Sequence, residues 1–351
     1  MTSIKERQSN IELLKIIAIF IIISFHVACT LVDFYDNKDI SSIQKITIWI
    51  FRNIGIIGNT IFIICSSWFL FDKENYFIHF KIKKAIRILL DSMTISIIIF
   101  CIYILLTKDS IGYKDILSNI FPDIFRNVWF VPCYVIYYCL HPLMNASISI
   151  LDRKMHFTLC IVSFFLYGIL GLFTLQPFYS LLIEFIIIFY VVSYIKLYKN
   201  EFNDNLKKNL VLFIIFCFIY VFYLVFLVDI FDMKYHINPI TTPMCIFLFN
   251  IFNGLKIKSN IINYISSCSL HIYCFSGNQI VVRKLMALIN NYLFNVFNNL
   301  IYVLIAHTLL LAIVSLLLSI LYRKIFNKSI DRISYEIVCF GNRILDLIFS
   351  K

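Results

Sequence analysis

The sequence is built of apolar blocks of about twenty residues separated by short charged segments. About twenty apolar residues is the length of helix that crosses a bilayer's ~30 Å hydrocarbon core. Lipid offers no water to a backbone amide, so only helices or a closed barrel can cross it. Eight Gly and six Pro in 351 residues are too few for the many tight turns of a barrel. The fold class that follows is an all-α polytopic integral membrane protein. Ten transmembrane helices are expected, near 11–32, 46–71, 88–106, 127–149, 157–173, 178–198, 210–230, 239–255, 260–281 and 300–322. Composition agrees: 61% of residues are hydrophobic and 15% charged, against about a half and a quarter in soluble domains. The first block does not read as a cleavable signal peptide, because its apolar stretch is long and no small-x-small site follows it.

Basic residues set the expected orientation. Most of the 31 Lys and Arg fall in 1–15, 72–87, 151–156, 196–208, 256–258 and beyond 322. These alternate with segments poorer in Lys and Arg, which places both termini in the cytoplasm by the positive-inside rule. The net charge of +11 is therefore a topology and anionic-lipid signal. No basic–aromatic module stands apart from the spans, so nucleic acid is not an expected partner. The expected location is multi-pass in the cell (plasma or inner) membrane.

One transmembrane domain is expected over 1–322. The outer segments 33–45, 107–126 and 282–299 are read as loops too short to fold alone. In 323–351, Ile330, Ile333, Ile337, Phe340, Ile344 and Ile348 recur at helical spacing beside Lys328, Arg332 and Arg343. That pattern predicts a basic amphipathic tail helix on the cytoplasmic surface. The 11 cysteines show no CxxC and no Cys/His cluster at metal spacing; they read as small buried hydrophobes, and no metal is expected.

Ionisable residues inside spans are few. His26 follows Lys15 by eleven residues, about 17 Å along a helix and within about 20° of the same face. Glu12 lies about 40° from His26 on that wheel. Such an alignment lines a cavity, or leaves a single histidine bonded to a neighbouring helix. Glu184 and His307 sit at depths similar to His26, and a carboxylate that orients a histidine makes a general base. A Glu184–His26 pair is thus a hypothesis, whereas His271 and His141 read as structural. At the start of the third span, Lys81, Lys83, Lys84 and Arg87 gather in "DKENYFIHFKIKKAIRILL", 72–90. They serve either as a positive-inside anchor or as a phosphate-binding patch for a nucleotide-bearing donor.

Five segments together resemble one family. "SNIELLKIIAIFIIISFH", "GIIGNTIFIICSSWFLF" (55–71), "FIHFKIKKAIRILL" (77–90), "NVWFVPCYVIYYCLHPLM" (127–144) and "SSCSLHIYCFSG" (266–277) are similar, in order, to motifs of the membrane acyltransferase-3 family. The resemblance implies a cytoplasmic acyl-CoA donor and an acceptor sugar in the membrane or at its outer face. It places the family's catalytic histidine on His26, its donor-binding basic motif on Lys83, Lys84 and Arg87, and its tryptophan on Trp129. There are departures. Lys15, Lys83 and Lys84 stand where arginine is usual, Ser67 and Trp68 replace Gly-Tyr, Asp91 stands where proline is common, and the late histidine falls on Ser276.

The expected function is integral membrane O-acyl transfer. Acetyl from cytoplasmic acetyl-CoA would pass to a hydroxyl of an envelope polysaccharide or its lipid-linked precursor, with His26 as base or acyl carrier. Trp129 would line the path. Succinyl transfer is an alternative within the family. A flippase for a lipid-linked saccharide is the alternative outside it, although the chain has no evident inverted repeat.

Overall fold

The computed structural model describes residues 7–34, 40–72, 82–106, 112–124, 128–169, 181–198, 205–226, 238–277 and 281–349. Among the described residues there are helices and no strands. They are α1 (Ser9–Thr30), α2 (Ser42–Asn53), α3 (Gly55–Leu70), α4 (Ile82–Leu106), α5 (Tyr113–Ile120), α6 (Phe130–Ser149), α7 (Arg153–Ser163), α8 (Leu181–Leu197), α9 (Leu206–Phe226), α10 (Thr241–Gly254), α11 (Asn260–Ser267), α12 (Ser269–Gly277), α13 (Val281–Phe297) and α14 (Leu300–Phe349). The all-α polytopic class expected from the apolar blocks is the class observed.

Five stretches among the described residues are long and apolar enough to cross a membrane: Ser9–Thr30, Ser42–Leu70, Ile82–Leu106, Leu206–Phe226 and Leu300–Ile344. Ser269–Gly277 and Val282–Phe297 make a sixth if taken as one bent span. The other expected spans fall on shorter or interrupted helices. The block at 157–173 becomes α7 followed by a π-helical turn, Phe164–Ile169. The block at 260–281 divides at Cys268 into α11 and α12. Lipid-facing surface is plain on α4, α9 and α14, where Leu105, Phe218 and Leu317 are largely exposed.

Two expected loops are corrected. Segment 107–126 contains α5, and 282–299 is occupied almost entirely by α13. α13 was hidden because its mean apolarity is low. One face buries Val282, Met286 and Asn290 while Arg283, Lys284 and Leu288 point outward. The i, i+4, i+8 spacing, not the composition, is its helical signal. α14 starts cleanly: Asn299 Oδ1 accepts from Ile301 N, and Gln44 Oε1 on α2 accepts from Leu300 N. α14 then runs for 50 residues, about 75 Å, more than twice the hydrocarbon thickness. The tail beyond 322 is the continuation of this helix as far as Phe349.

α1 is the centre of the bundle. It packs against α2, α3, α10, α11, α12, α13 and α14. α1 meets apolar neighbours on most sides and leaves Phe20 exposed, which explains an apolar run broken by so few polar residues. The α1–α3 contact is the closest, and glycine makes it so. A Cβ at Gly58 would stand 2.8 Å from the Ala18 carbonyl oxygen and 2.7 Å from Ile22 Cγ1. One at Gly55 would stand 2.5 Å from the Phe25 ring. The N-terminal end of α1 is tied down by polar contacts. Asn10 Nδ2 donates to the carbonyl oxygens of Phe252 (3.0 Å) and Asn253 (3.3 Å), and Glu12 pairs with Lys15 at 2.6 Å while accepting from Ser266.

Gly58→Ala therefore forces a methyl against backbone that cannot rotate away. We expect a loss of about 1–3 kcal/mol, read as a lowered thermal midpoint in detergent. Gly254→Ala, where a Cβ would meet nothing within 4 Å, should stay within about 0.5 kcal/mol of the parent. Equal effects at the two sites would show that the α1–α3 approach is not the constraint.

Candidate active site

His26 lies one turn before the end of α1, where α1 meets the last residues of α12. A Cβ on Gly277 would come 3.8 Å from His26 Nε2, and the Phe25 ring sits 5.1 Å from the imidazole, centroid to centroid. The side chain is partly buried. Its relation to the other histidines sets it apart. His141 is bonded to the Tyr138 carbonyl, His156 to that of Tyr190 (3.0 Å), His307 to Asn290 Oδ1 (2.6 Å), and His271 is paired with Asp91 (3.4 Å). Among the described histidines, His26 alone makes neither a hydrogen bond nor an ion pair with the protein. The alternative of a histidine satisfied by a neighbouring helix does not hold for it.

Below His26 on the same face come Ile22 and Ile19, then Lys15 and Glu12. These are the i−4, i−7, i−11 and i−14 positions of one helical stripe. Ile19 and Ile22 form one wall of a narrow cleft whose other walls are Asn59 and Phe62 of α3, Phe130 of α6, and Leu270 and Tyr273 of α12. Asn59 Oδ1 is buried there without a partner. Phe130 organises the apolar side, with ring centroids at 5.7 Å from Phe62, 5.3 Å from Phe185, 5.5 Å from Tyr273 and 5.8 Å from Trp129. Trp129 is thus beside the cleft, and its neighbour Phe130 forms the wall.

The basic patch is divided by helical geometry. Lys83 and Arg87, one turn apart on α4, share a face and converge on Asp331 of α14, at 2.9 and 3.2 Å. Arg87 also donates to Asn327 and lies 3.8 Å from Asp91. Lys84 points elsewhere, its ammonium 4.7 Å from the Tyr138 ring centroid on α6. Lys81 lies outside the described residues. The patch therefore already attracts an anionic oxygen, and the tail supplies it.

Glu184 is fully buried at the start of α8. α8 packs on α3, α6 and α7, and α3 stands between it and α1. The structure does not bring Glu184 to His26: their similar depth carried no information about lateral position. Three departures from the family pattern are absorbed by local bonding. Ser67 donates to the Ile63 carbonyl and shares a 2.7 Å contact with the Tyr137 hydroxyl, and Trp68 Nε1 donates to Gln8 Oε1. Lys196 donates to the Trp68 and Phe71 carbonyls at the end of α3. Asp91 accepts from the Tyr322 hydroxyl at 2.8 Å and faces His271. Ser276 bonds only within its own helix, to the Ile272 and Tyr273 carbonyls.

Sequence reasoning missed Asn59, Phe130, Asp331 and two arginines near His26. Arg283 of α13 and Arg52 of α2 both lie within electrostatic reach of Cys29, and Arg283 also of His26. Phe130 follows a tryptophan already singled out; the others carried no local signal.

Residues 8–324 match the family model of the acyltransferase domain. No curated protein and no solved structure matches the chain. The match runs from the residue before α1, through every helix that walls the cleft, to the point where α14 carries its tail toward the basic patch. The chain belongs to the acyltransferase-3 family and is an acyltransferase built as a multi-helix membrane protein.

Proposed function

We propose that this chain is an O-acetyltransferase of the cell membrane, with ten crossings and both termini in the cytoplasm. It takes acetyl from cytoplasmic acetyl-CoA. The acceptor is a hydroxyl of an envelope polysaccharide or its lipid-linked precursor. Family membership removes the ground for the flippase alternative. The observation that carries the proposal is the unpartnered imidazole of His26 at the top of a stripe that also walls the cleft. The ring is partly buried and has no polar protein partner, so its nitrogens stay available to a substrate hydroxyl.

Lys83 and Arg87 are the residues that would hold the donor's phosphates, with Arg87 providing the forked guanidinium that suits them. Bound there, the donor supplies an activated thioester. Ile19, Ile22, Phe62 and Phe130 line a small apolar pocket between α1, α3, α6 and α12, which would widen to admit the arm. Asn59 offers a buried polar atom midway for an amide of the arm. His26 takes the proton of the acceptor hydroxyl as the new ester bond forms, or carries the acyl group between donor and acceptor.

His26→Ala should lower acetylation of envelope saccharide by about 10²–10⁴-fold, the usual worth of a general base, with the protein still inserted. Mass spectrometry of the saccharide for acetyl-sized mass shifts reads this directly, and retained acetylation would overturn the role. The tail makes a second prediction. Asp331 occupies the place of an anionic ligand on Lys83 and Arg87, so Asp331→Asn should tighten acetyl-CoA binding. For an exposed pair the gain is about two- to fivefold, while Arg87→Gln should weaken binding. Thermal stabilisation of the purified protein by acetyl-CoA measures both, because a ligand raises stability in proportion to RT ln(1 + [L]/Kd). If Asp331→Asn weakens binding, the carboxylate is organising the patch instead of competing for it.

A further inference from the structure

We infer that Arg52 and Arg283 form an anion-binding subsite beside His26, which takes a phosphate or carboxylate carried by the acceptor. The inference deepens the reading of His26 as the residue that serves the acceptor, and rests on it.

The two guanidinium groups come from different helices to one turn of α1. Arg52 is in the last turn of α2, three residues before the Gly55 that seats the Phe25 ring, and α2 packs on α1. Arg283 is in the first turn of α13, six residues after the Gly277 whose Cβ would come 3.8 Å from His26 Nε2, and α13 also packs on α1. Both lie within electrostatic reach of Cys29, and Arg283 of His26. Cys29 follows His26 by three residues, so the same face of α1 carries both. Both arginine side chains are exposed.

Arg52 alone would be unremarkable, since a cation suits a helix C-terminus. Arg283 is not explained that way. It stands at the positive end of α13, where the helix dipole disfavours a cation, and close to a second cation. The next residue, Lys284, is held by the Tyr103 hydroxyl at 3.0 Å. No carboxylate among the described residues pairs with Arg283 or Arg52. At the other end of the bundle the comparable pair, Lys83 and Arg87, has Asp331 between its charges. Two cations gathered beside an unpartnered imidazole, with no carboxylate partner among the described residues, match a ligand that brings its own negative charge. A planar fork is the geometry that phosphate and carboxylate oxygens fit. The acceptor class that satisfies this is a saccharide with an anionic group close to the hydroxyl that becomes acylated: an acidic sugar, or a sugar joined to a lipid through phosphate.

Cys29 provides a reporter that needs no turnover. The full chain in phosphatidylcholine vesicles is treated with two methanethiosulfonates of opposite fixed charge, sulfonatoethyl and trimethylammonioethyl. Modification of Cys29 is then followed by peptide mass spectrometry. The ratio of the two rates is read, because a change in the thiolate fraction affects both reagents alike. The subsite predicts that Arg52→Gln and Arg283→Gln each lower the anionic-to-cationic ratio by about threefold, the effect of one charge at several ångströms in a wet site. Glucose 1-phosphate or glucuronate should protect Cys29, with glucose as the inert control. Protection by the phosphate sugar alone or the carboxylate sugar alone names the acceptor's anion. An unchanged ratio in both variants overturns the subsite. Protection by vesicles containing phosphatidylglycerol but by neither sugar overturns the acceptor assignment in favour of a lipid headgroup. Loss of the His26 role would leave this readout intact, so the two proposals fail separately.

Discussion

The close approach of α1 and α3 is the contact on which the rest of the bundle depends. Gly58 lets the α3 backbone come within reach of the Ala18 carbonyl, and Gly55 seats the Phe25 ring. In lipid there is little hydrophobic drive between helices, so close packing over small residues carries much of the association. Once α1 is held on α3, it becomes the axis that seven helices cover. The same contact fixes the functional stripe. Ile22 touches Gly58, and it walls the cleft with Ile19 one turn below His26. The position of the imidazole thus depends on a glycine that packs one to two turns below it on α1, although the two are 32 residues apart in sequence.

The two ends of that axis are chemically different. At the end that carries the N-terminus of α1 the charges are compensated: Glu12 with Lys15, and Asp331 with Lys83 and Arg87. Near His26, Arg52 and Arg283 have no carboxylate partner among the described residues. A small pocket walled by isoleucine and aromatic rings lies against α1, with the Asn59 side chain as its buried polar point. On the proposed reading, donor and acceptor would meet the chain at these two ends. A resident carboxylate would compete with the donor and so assist product release, and the acceptor's own charge would find the arginines unpaired.

How much of this was readable in the sequence follows from how local each signal is. The helical class was legible because twenty apolar residues in a row admit few other structures. The alignment of Lys15 with His26 was legible because both sit on one helix, where spacing fixes direction. Lys83 and Arg87 were legible as a patch, but Lys84 was wrongly grouped with them: adjacent residues on a helix diverge by about 100°. The Glu184–His26 pairing failed for a different reason. Depth in the membrane orders residues along one axis and leaves the lateral arrangement open, and α3 occupies the space between. Arg283 lay in a segment read as a loop because its charged and amide residues dilute a clear i, i+4 pattern. Asp331 belonged to a tail whose contact with α4 spans more than two hundred residues of sequence.

The histidines show why burial alone could not have singled out His26. Five are described, and four of them have a polar partner: a carbonyl of its own helix for His141, and a carbonyl, an amide or a carboxylate from another helix for His156, His307 and His271. His271 is the instructive contrast. It lies in the family-like segment near the end of the domain, and it is committed to Asp91, a residue that itself departs from the family pattern. Its ring cannot serve a substrate without first giving up that pair. His26 has nothing to give up. Its ring is partly buried and its nitrogens keep some exposure, so a substrate can reach them. The fold gives each of the other four described histidines at least one polar partner, and gives this one none.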